Sequence, residues 1–600
     1  MGKEETNDSM DIYEPLKEYR SIYKSKHNQN VTDFFDALVL KAQIDQGLNK
    51  STNDKIKKLE KRANTLKSSI TKRRILQAFS WIGIIIALVA SIYGIMQLVK
   101  KITELKSILS LSLGSVALVV LIIVIFKVIN PKLKILIKNH DKLRKEIDDL
   151  IQEAYQQLEP LNNLFTETMS LELFKKTLPN INMDLVFDSR RLDYLVNKFG
   201  LGDLKDLNRS ALFIQSGDIK GNPFYLSKEL VHELGTKAYT GSITIHWTTT
   251  SRSNGKTVTN HHTQTLTETI VRPCPYYTKE IYLVYGNEAA PDLIFSREDS
   301  DAEDLNQKQI DKKVSRDIKK LGRKSEKSIK TGGNYTVLGN SEFEVLFGAT
   351  NRNHETQFRL LFTPLAQKSL LELMKDTEYG YGDDFDFVKH KMINVLYPEH
   401  LDHFELKPNP KFFRGYDLEV VKKNFVDFQN EYFRQLYFAF APVLAIPLYQ
   451  QHMPHEYIYK DLYDSYVSFY EHESVVNHMN ENEFKHPLST TPNILKTTVN
   501  KSKDYKDTIT VTAYGYETHN RVDYFTKLGR DGRMHTIPVH WTEYIPVSKD
   551  TPIEISVPVE EKELSYQDRI RKVLENTSKQ GIDPKEVYKI GLYLAYILKK

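Results

Sequence analysis

The side chains able to do chemistry in this chain are mostly histidines and acids, with one cysteine, and their spacing limits what they can hold. His246 and His261 lie in two threonine-rich stretches, YTGSITIHWTTT and KTVTNHHTQTLTETIV, on either side of Asn254-Gly255. A type I′ turn at Asn254-Gly255 sets Trp247 opposite His262 and Ile243 opposite Leu266, so that His246 and His261 fall diagonally on one face of a hairpin. Two imidazoles there are an incomplete transition-metal site, which needs a carboxylate to join them. The stretch QHMPHE offers a second pair, His452 and His455. His232-Glu233 and His472-Glu473 begin as zinc-protease helices do, but neither has a second histidine four residues after the first. Asp383, Asp384 and Asp386 sit in a Gly-aromatic loop, EYGYGDDFDF, suited to a hard cation or a basic ligand but lacking EF-hand spacing. There is no phosphate-cradling loop, no dinucleotide fingerprint and no G-x-S-x-G elbow, and Cys274 stands between two prolines without a neighbouring base. No catalytic residue and no cofactor are assigned.

The elements that must carry these residues are organised around residues 75–130. Two uncharged apolar runs, 75–99 and 108–126, flank a short polar turn, and each is long enough to cross a hydrocarbon core of ~30 Å. Gly83, Ala87 and Ser91 recur every four residues in the first run and Gly114 lies in the second, a spacing that lets helix backbones approach in lipid. Neither run contains an ionisable residue of the kind an ion path needs. Lysine and arginine cluster before the first run and after the second, which by the positive-inside rule places both termini in the cytoplasm. Heptad-like seams precede and follow the runs: Ile56, Leu59, Ala63, Leu66 and Ile70, then Leu136 through Leu158. They predict an antiparallel coiled-coil stalk that continues a transmembrane helical hairpin.

The expected fold class is a membrane-anchored α+β protein. A polar segment (1–52) precedes the stalk and spans (53–160). A strand-rich α+β domain (161–297), a charged linker helix (298–333) and a second α+β region (334–600) ending in a helical hairpin follow. Strands are expected at YTVLGNSEFEVLFGAT and TQFRLLFTPL, a helix at AQKSLLELMKD, a buried aromatic helix over 415–447 and helices at 565–580 and 584–598. Val539-His540-Trp541-Thr542 repeats the pattern of Ile245-His246-Trp247-Thr248.

Composition narrows the function classes. The 600 residues carry 83 basic and 78 acidic side chains, a net charge of +5, which disfavours nucleic acid as a bulk partner. One cysteine excludes an internal disulfide and fits a reducing, cytosolic setting for the soluble part. Lys312, Lys313, Arg316, Lys319, Lys320 and Arg323 line a basic helix that anionic lipid headgroups would suit. The abundance of Lys, Asn, Ile and Tyr has a bacterial cast. The order of basic helix, two spans, second helix and mixed domain, with RSALFIQSGDIKGNPFYLSKEL at 209–230, resembles uncharacterised bacterial two-pass membrane proteins over the first half of the chain. That resemblance implies an architecture and no activity. The expected role is a cell-membrane scaffold that offers a cytosolic surface to a protein partner or a second copy. Alternatives are a membrane-tethered metal-dependent hydrolase and an accessory subunit of a transport or secretion complex.

Overall fold

A computed structural model describes residues 11–99, 105–202, 206–253, 256–407, 409–454, 459–460, 462–503, 506–556, 575, 583 and 586–598. The chain divides into two compact units, one of residues 31–166 and 409–428, the other of 1–30, 167–408 and 429–600.

The first unit is helical. Its elements are α1 (Gln46–Val99), α2 (Leu105–Ile123) and α3 (Asn130–Asn162), with a π-helical turn at Val124–Ile129 joining the last two. Opposed residues fix the sense of α1 against the others: Asn49 donates to Gln157 at 3.3 Å, and Gln77 to Asn130 at 3.0 Å. The two apolar seams read from the sequence meet within one chain. Ile56 and Ala63 pack with Ile147 and Ala154, and Leu59 with Leu143 and Leu150 at the rim. Further along, Ile84 joins Ile125 and Ile129. The small residues face this packing. A Cβ on Gly83 would lie 3.1 Å from Leu121 Cδ1, and Ala87 is buried; Gly114 lies within α2. Two helices here are long and apolar enough to cross a membrane, and they expose Ile85, Ile86, Val89 and Val116.

The second unit is mixed α+β and holds two antiparallel sheets. The first runs β1 (Ile181–Met183), β2 (Arg209–Ile219), β3 (Asn222–Ser253), β4 (Lys256–Gly286), then β7 (Ile393–Pro398), β6 (Phe385–His390) and β5 (Ile294–Arg297) in spatial order. It takes strands from both sides of the charged helix α4 (Gln307–Lys330), so 298–333 does not separate two sheets as the domain boundaries expected. The second sheet has the order β11 (Tyr588–Ile590), β12 (Tyr593–Ile597), β10 (Met534–Ser556), β9 (Lys506–Leu528), β8 (Ile494–Lys503). At the tight β2–β3 turn, Lys220 and Gly221 both have positive φ (51° and 90°), as a two-residue hairpin requires. Any Cβ on Gly221 would meet the Met453 carbonyl oxygen at 2.0 Å, so the position admits glycine alone.

Three expectations change. EFEVLF forms helix α5 (Ser341–Phe347) where a strand was expected: the Asn340 side chain caps its start, and Gly348, at φ +72°, ends it. TQFRLL is helix α6 (Glu355–Leu361), capped by His354, and Thr363 then caps the expected helix α7 (Pro364–Lys375). In both, a local capping side chain outweighs the β-branched and aromatic content. The C-terminal helix expected at 584–598 is replaced by β11 and β12, because β10 offers a free edge that Tyr593–Ile597 fills. Most of 565–580 lies outside the described residues. The aromatic helix is α8 (Leu418–Leu444), whose C-terminal half, including Phe440 and Leu444, is buried core as expected.

Candidate functional site: a two-ribbon arm

Two hairpins extend well past the sheets that root them. β3 and β4 pair without a register shift from Phe224↔Tyr285 to Ser253↔Lys256, whereas β2 accompanies β3 only to Val231 and β7 accompanies β4 only over Leu283–Gly286. Beyond those points both strands of the ribbon have free edges among the described residues, over ~70 Å at 3.3 Å per residue. β9 and β10 form a second ribbon, accompanied by β8 only to Tyr514 and by β12 only from Ile553. The expected register holds: Trp247 faces His262 and Ile243 faces Leu266. The turn residues Asn254 and Gly255 themselves lie outside the described residues.

Period-two alternation sends every second residue to one face, and the two ribbons pack through one face each. Ile245, Leu266, Ile537 and Val539 are buried together, with Tyr239, Trp247, Ile270 and Phe525 around them. Ile245 and Val539, the first residues of the two similar tetrapeptides, thus share one small core. Gly241 marks the closest approach, where an added Cβ would stand 2.1 Å from the Pro538 carbonyl oxygen.

Charge lies on this inner layer. Arg272 bonds Asp523 at 2.5 Å and stacks 4.8 Å over Trp541, Lys527 bonds Glu268 at 2.5 Å, and Arg521 bonds Glu543 at 2.8 Å. The Arg272 guanidinium holds the Asp523 carboxyl below its ordinary value.

The outer faces are uncharged over most of their length, with Arg252 at the far end of the first. On the first ribbon, the eight even positions from Thr236 to Thr250 and the eight odd positions from Thr259 to Pro273 are all exposed, and none is Asp, Glu, Lys or Arg. Ten of these sixteen are threonine, several paired across the strands, such as Thr240 with Thr269 at 2.9 Å and Thr244 with Thr265 at 3.2 Å. On the second ribbon, the exposed even positions 520, 524, 526, 528, 534, 536 and 540 are likewise uncharged, and Tyr524, Leu528 and Met534 are 70%, 65% and 63% exposed. Soluble proteins ordinarily show the reverse arrangement, with charge outside. An uncharged face bearing hydroxyls, beside free strand edges, is equipped to bind through backbone and side-chain hydrogen bonds and apolar contact.

The remaining chemical groups are structural. Helix α9 (Phe469–Asn477) places three successive buried ionisable residues in three directions. Glu471 accepts from the Phe187 N–H at 2.8 Å, and His472 Nε2 bonds Asp507, which also accepts from Ser465. Glu473 accepts from the Ala211 N–H and pairs with Lys496 at 2.6 Å. These bonds tie the helix to β2 in one sheet and to β8 and β9 in the other. Burial pushes Glu473 up to about 7 despite Lys496. The zincin-like start at His472-Glu473 is therefore a cross-sheet tie, and His232-Glu233 lies on β3, not on a helix. Asp383, expected in a cation-binding loop, is buried against Arg297 at 2.7 Å, while Asp384 bonds His400 and Asp386 accepts from the Asp299 N–H. The loop's basic ligand is thus internal.

Sequence reasoning missed Lys389. It is fully buried, held by the Ala289 carbonyl and Asn394, and burial pushes its amine down to about 7. No sequence signal marks it, since its burial follows from β6 lying between β5 and β7.

Of the metal candidates, His246 and His261 are exposed and diagonal on the threonine face, as expected. His452 is exposed, and His455 lies outside the described residues. Among the described residues no group of three or more His, Cys, Asp or Glu converges as a metal site. On α4, Lys313 is tied to the Ser300 carbonyl, Arg316 and Lys320 both reach Asp317, and Lys312, Lys319 and Arg323 are exposed. Comparison with protein-family models, with curated proteins and with solved structures finds no match to this chain.

Proposed function

We propose that this chain is a two-pass membrane protein that uses its two-ribbon arm to bind protein partners at the cytoplasmic face of a membrane. The apolar segments of α1 and α2 cross the bilayer as a hairpin, α1 and α3 continue as an antiparallel coiled-coil stalk, and both termini are cytoplasmic. The exposed apolar belt and the flanking lysines and arginines support the anchor. The observation that carries the binding role is the inverted arm, with ion pairs on its inner layer and outer faces that are uncharged over most of their length. A surface of that kind loses little solvation when another protein covers it. The exposed cations of α4, Lys312, Lys319 and Arg323, have the charge that anionic lipid headgroups would suit. The accessory-subunit alternative relied on Gly83, Ala87 and Ser91 contacting other spans, and Gly83 and Ala87 are already taken up by packing against α2.

The test is site-specific photo-crosslinking of full-length protein in native membranes. A photoreactive residue at Tyr524 or Thr265, both outward, is expected to give discrete protein adducts, whereas one at inward Phe525 is not. Equal labelling from inner and outer positions, or none from the outer ones, would sink the binding role. Extraction of the protein by alkaline carbonate would sink the anchor.

A further inference from the structure

We infer that the centre of the threonine face is one half of a transition-metal site, completed by the same two histidines of a second copy of this chain. The inference rests on the arm being the binding element and names its partner. Four cross-strand rows carry it: Thr244/Thr265, His246/Thr263, Thr248/His261 and Thr250/Thr259. Their pattern is two-fold symmetric. Rotation about the centre of the patch exchanges His246 with His261, Thr263 with Thr248, Thr244 with Thr259 and Thr250 with Thr265. A face with that symmetry and no charge meets a copy of itself with like chemistry on both sides, and a two-fold dimer interface must be self-complementary in this way.

Area argues for the metal. Two-stranded ribbons twist strongly, which confines face-to-face contact to the central rows. Four rows span ~27 Å by ~10 Å, or ~270 Å² per partner, against the ~800 Å² of a standard interface. Hydroxyl contact over that patch does not hold two chains together, so a further bond is required. The histidines can supply it. His246 Nδ1 is engaged by the Thr263 hydroxyl at 3.0 Å, which steadies the ring and leaves Nε2 of this exposed residue as the nitrogen to bind a metal. Metal-binding imidazoles are typically steadied in this way through their other nitrogen. The two-fold places Thr248 beside His261 in the same relation. One chain offers two imidazoles on a diagonal. A second copy laid face to face along the first places two more on the opposite diagonal, and the four occupy the corners of a tetrahedron. That is the coordination Zn²⁺ prefers with nitrogen ligands.

The experiment uses full-length protein in detergent, after EDTA treatment and with stepwise ZnSO4, reading molar mass by light scattering and zinc content by mass spectrometry. The expected result is a monomer in EDTA that becomes a dimer with one zinc per two chains. His246→Ala/His261→Ala should abolish both readouts, and Thr263→Val should lower zinc affinity about 10–100-fold. Thr244→Lys/Thr265→Lys keeps the histidines but charges the patch, and should block dimer formation. Circular dichroism of each variant checks that the fold is kept. Zinc bound without a change in mass overturns the inference, because it means adventitious binding by surface imidazoles. A dimer that survives EDTA and the histidine variant also overturns it, as does a monomer that takes up no zinc. In each of those cases outer-face crosslinks to another protein would leave the binding role of the arm standing.

Discussion

The helix pair α1/α2 and the two-ribbon arm both turn uncharged surfaces outward, but the two surfaces differ in hydrogen-bonding capacity. The helix pair exposes Ile85, Ile86, Val89 and Val116, which offer no donor or acceptor, and its backbone bonds are satisfied internally. The arm exposes threonines, tyrosines and the free edges of four strands. The first surface suits hydrocarbon, and the second suits a medium that answers hydrogen bonds without requiring charge, which is another protein surface. Absence of charge therefore does not by itself identify a membrane segment; the density of unpaired polar groups does.

A single lysine placed on each surface separates them most widely. Ile86→Lys is expected to cost about 3 kcal/mol in apparent membrane insertion, measurable by a glycosylation-based insertion assay. Thr244→Lys is expected to change the stability of the fold by less than ~0.5 kcal/mol in denaturant unfolding. If the two substitutions had equal effects on expression and extraction, the contrast would collapse.

Glycines at the two crossings provide a finer comparison. A Cβ on Gly241 would meet a backbone carbonyl at 2.1 Å, which cannot move away without separating the ribbons, while one on Gly83 would meet the end of the Leu121 side chain at 3.1 Å. Gly241→Val should destabilise the arm by roughly 1–3 kcal/mol, seen as protease cutting within 232–253. Gly83→Val should cost less, because a leucine can rotate aside.

The smallest expected effect is acid titration. The Asp523 carboxyl is held below its ordinary 3.8 by Arg272. Its folded value lies below its unfolded one, so this contribution is present above pH 3.8 and is lost as pH falls through the folded value. Near-ultraviolet dichroism from Trp541, which stacks with Arg272, should weaken on acidification below that point, and Arg272→Met should remove the dependence. The apolar runs hold no carboxylate or histidine, so their helical signal should not follow.

Much of this architecture was legible in the chain. The apolar seams at 56–70 and 136–158 were readable because helix periodicity is a local property, and Ile56 and Ala63 of the first pack with Ile147 and Ala154 of the second. The register of the first ribbon followed from one turn signal, Asn254-Gly255. What the sequence reading missed has two sources, local caps and distant neighbours. α5 and α6 looked like strands until Asn340 and His354 were seen to cap them. The C-terminal strands depend on an edge of β10, and the buried state of Lys389 depends on the strands beside it. The threonine-rich stretches were visible, but their two-fold pattern emerges only when both strands are set side by side.

The repetitiveness of that face has a cost in register information. Threonine faces threonine in three of the eight outer rows, so a slip of two residues along β3 would still set threonine against threonine in part of that face. The inner layer adds to the turn in distinguishing the correct pairing, through Trp247 against His262 and through Gly241, whose missing side chain must arrive beside Pro538. The two ribbons therefore proofread one another: the turn sets the pairing of the first, and the packed second ribbon penalises the alternatives.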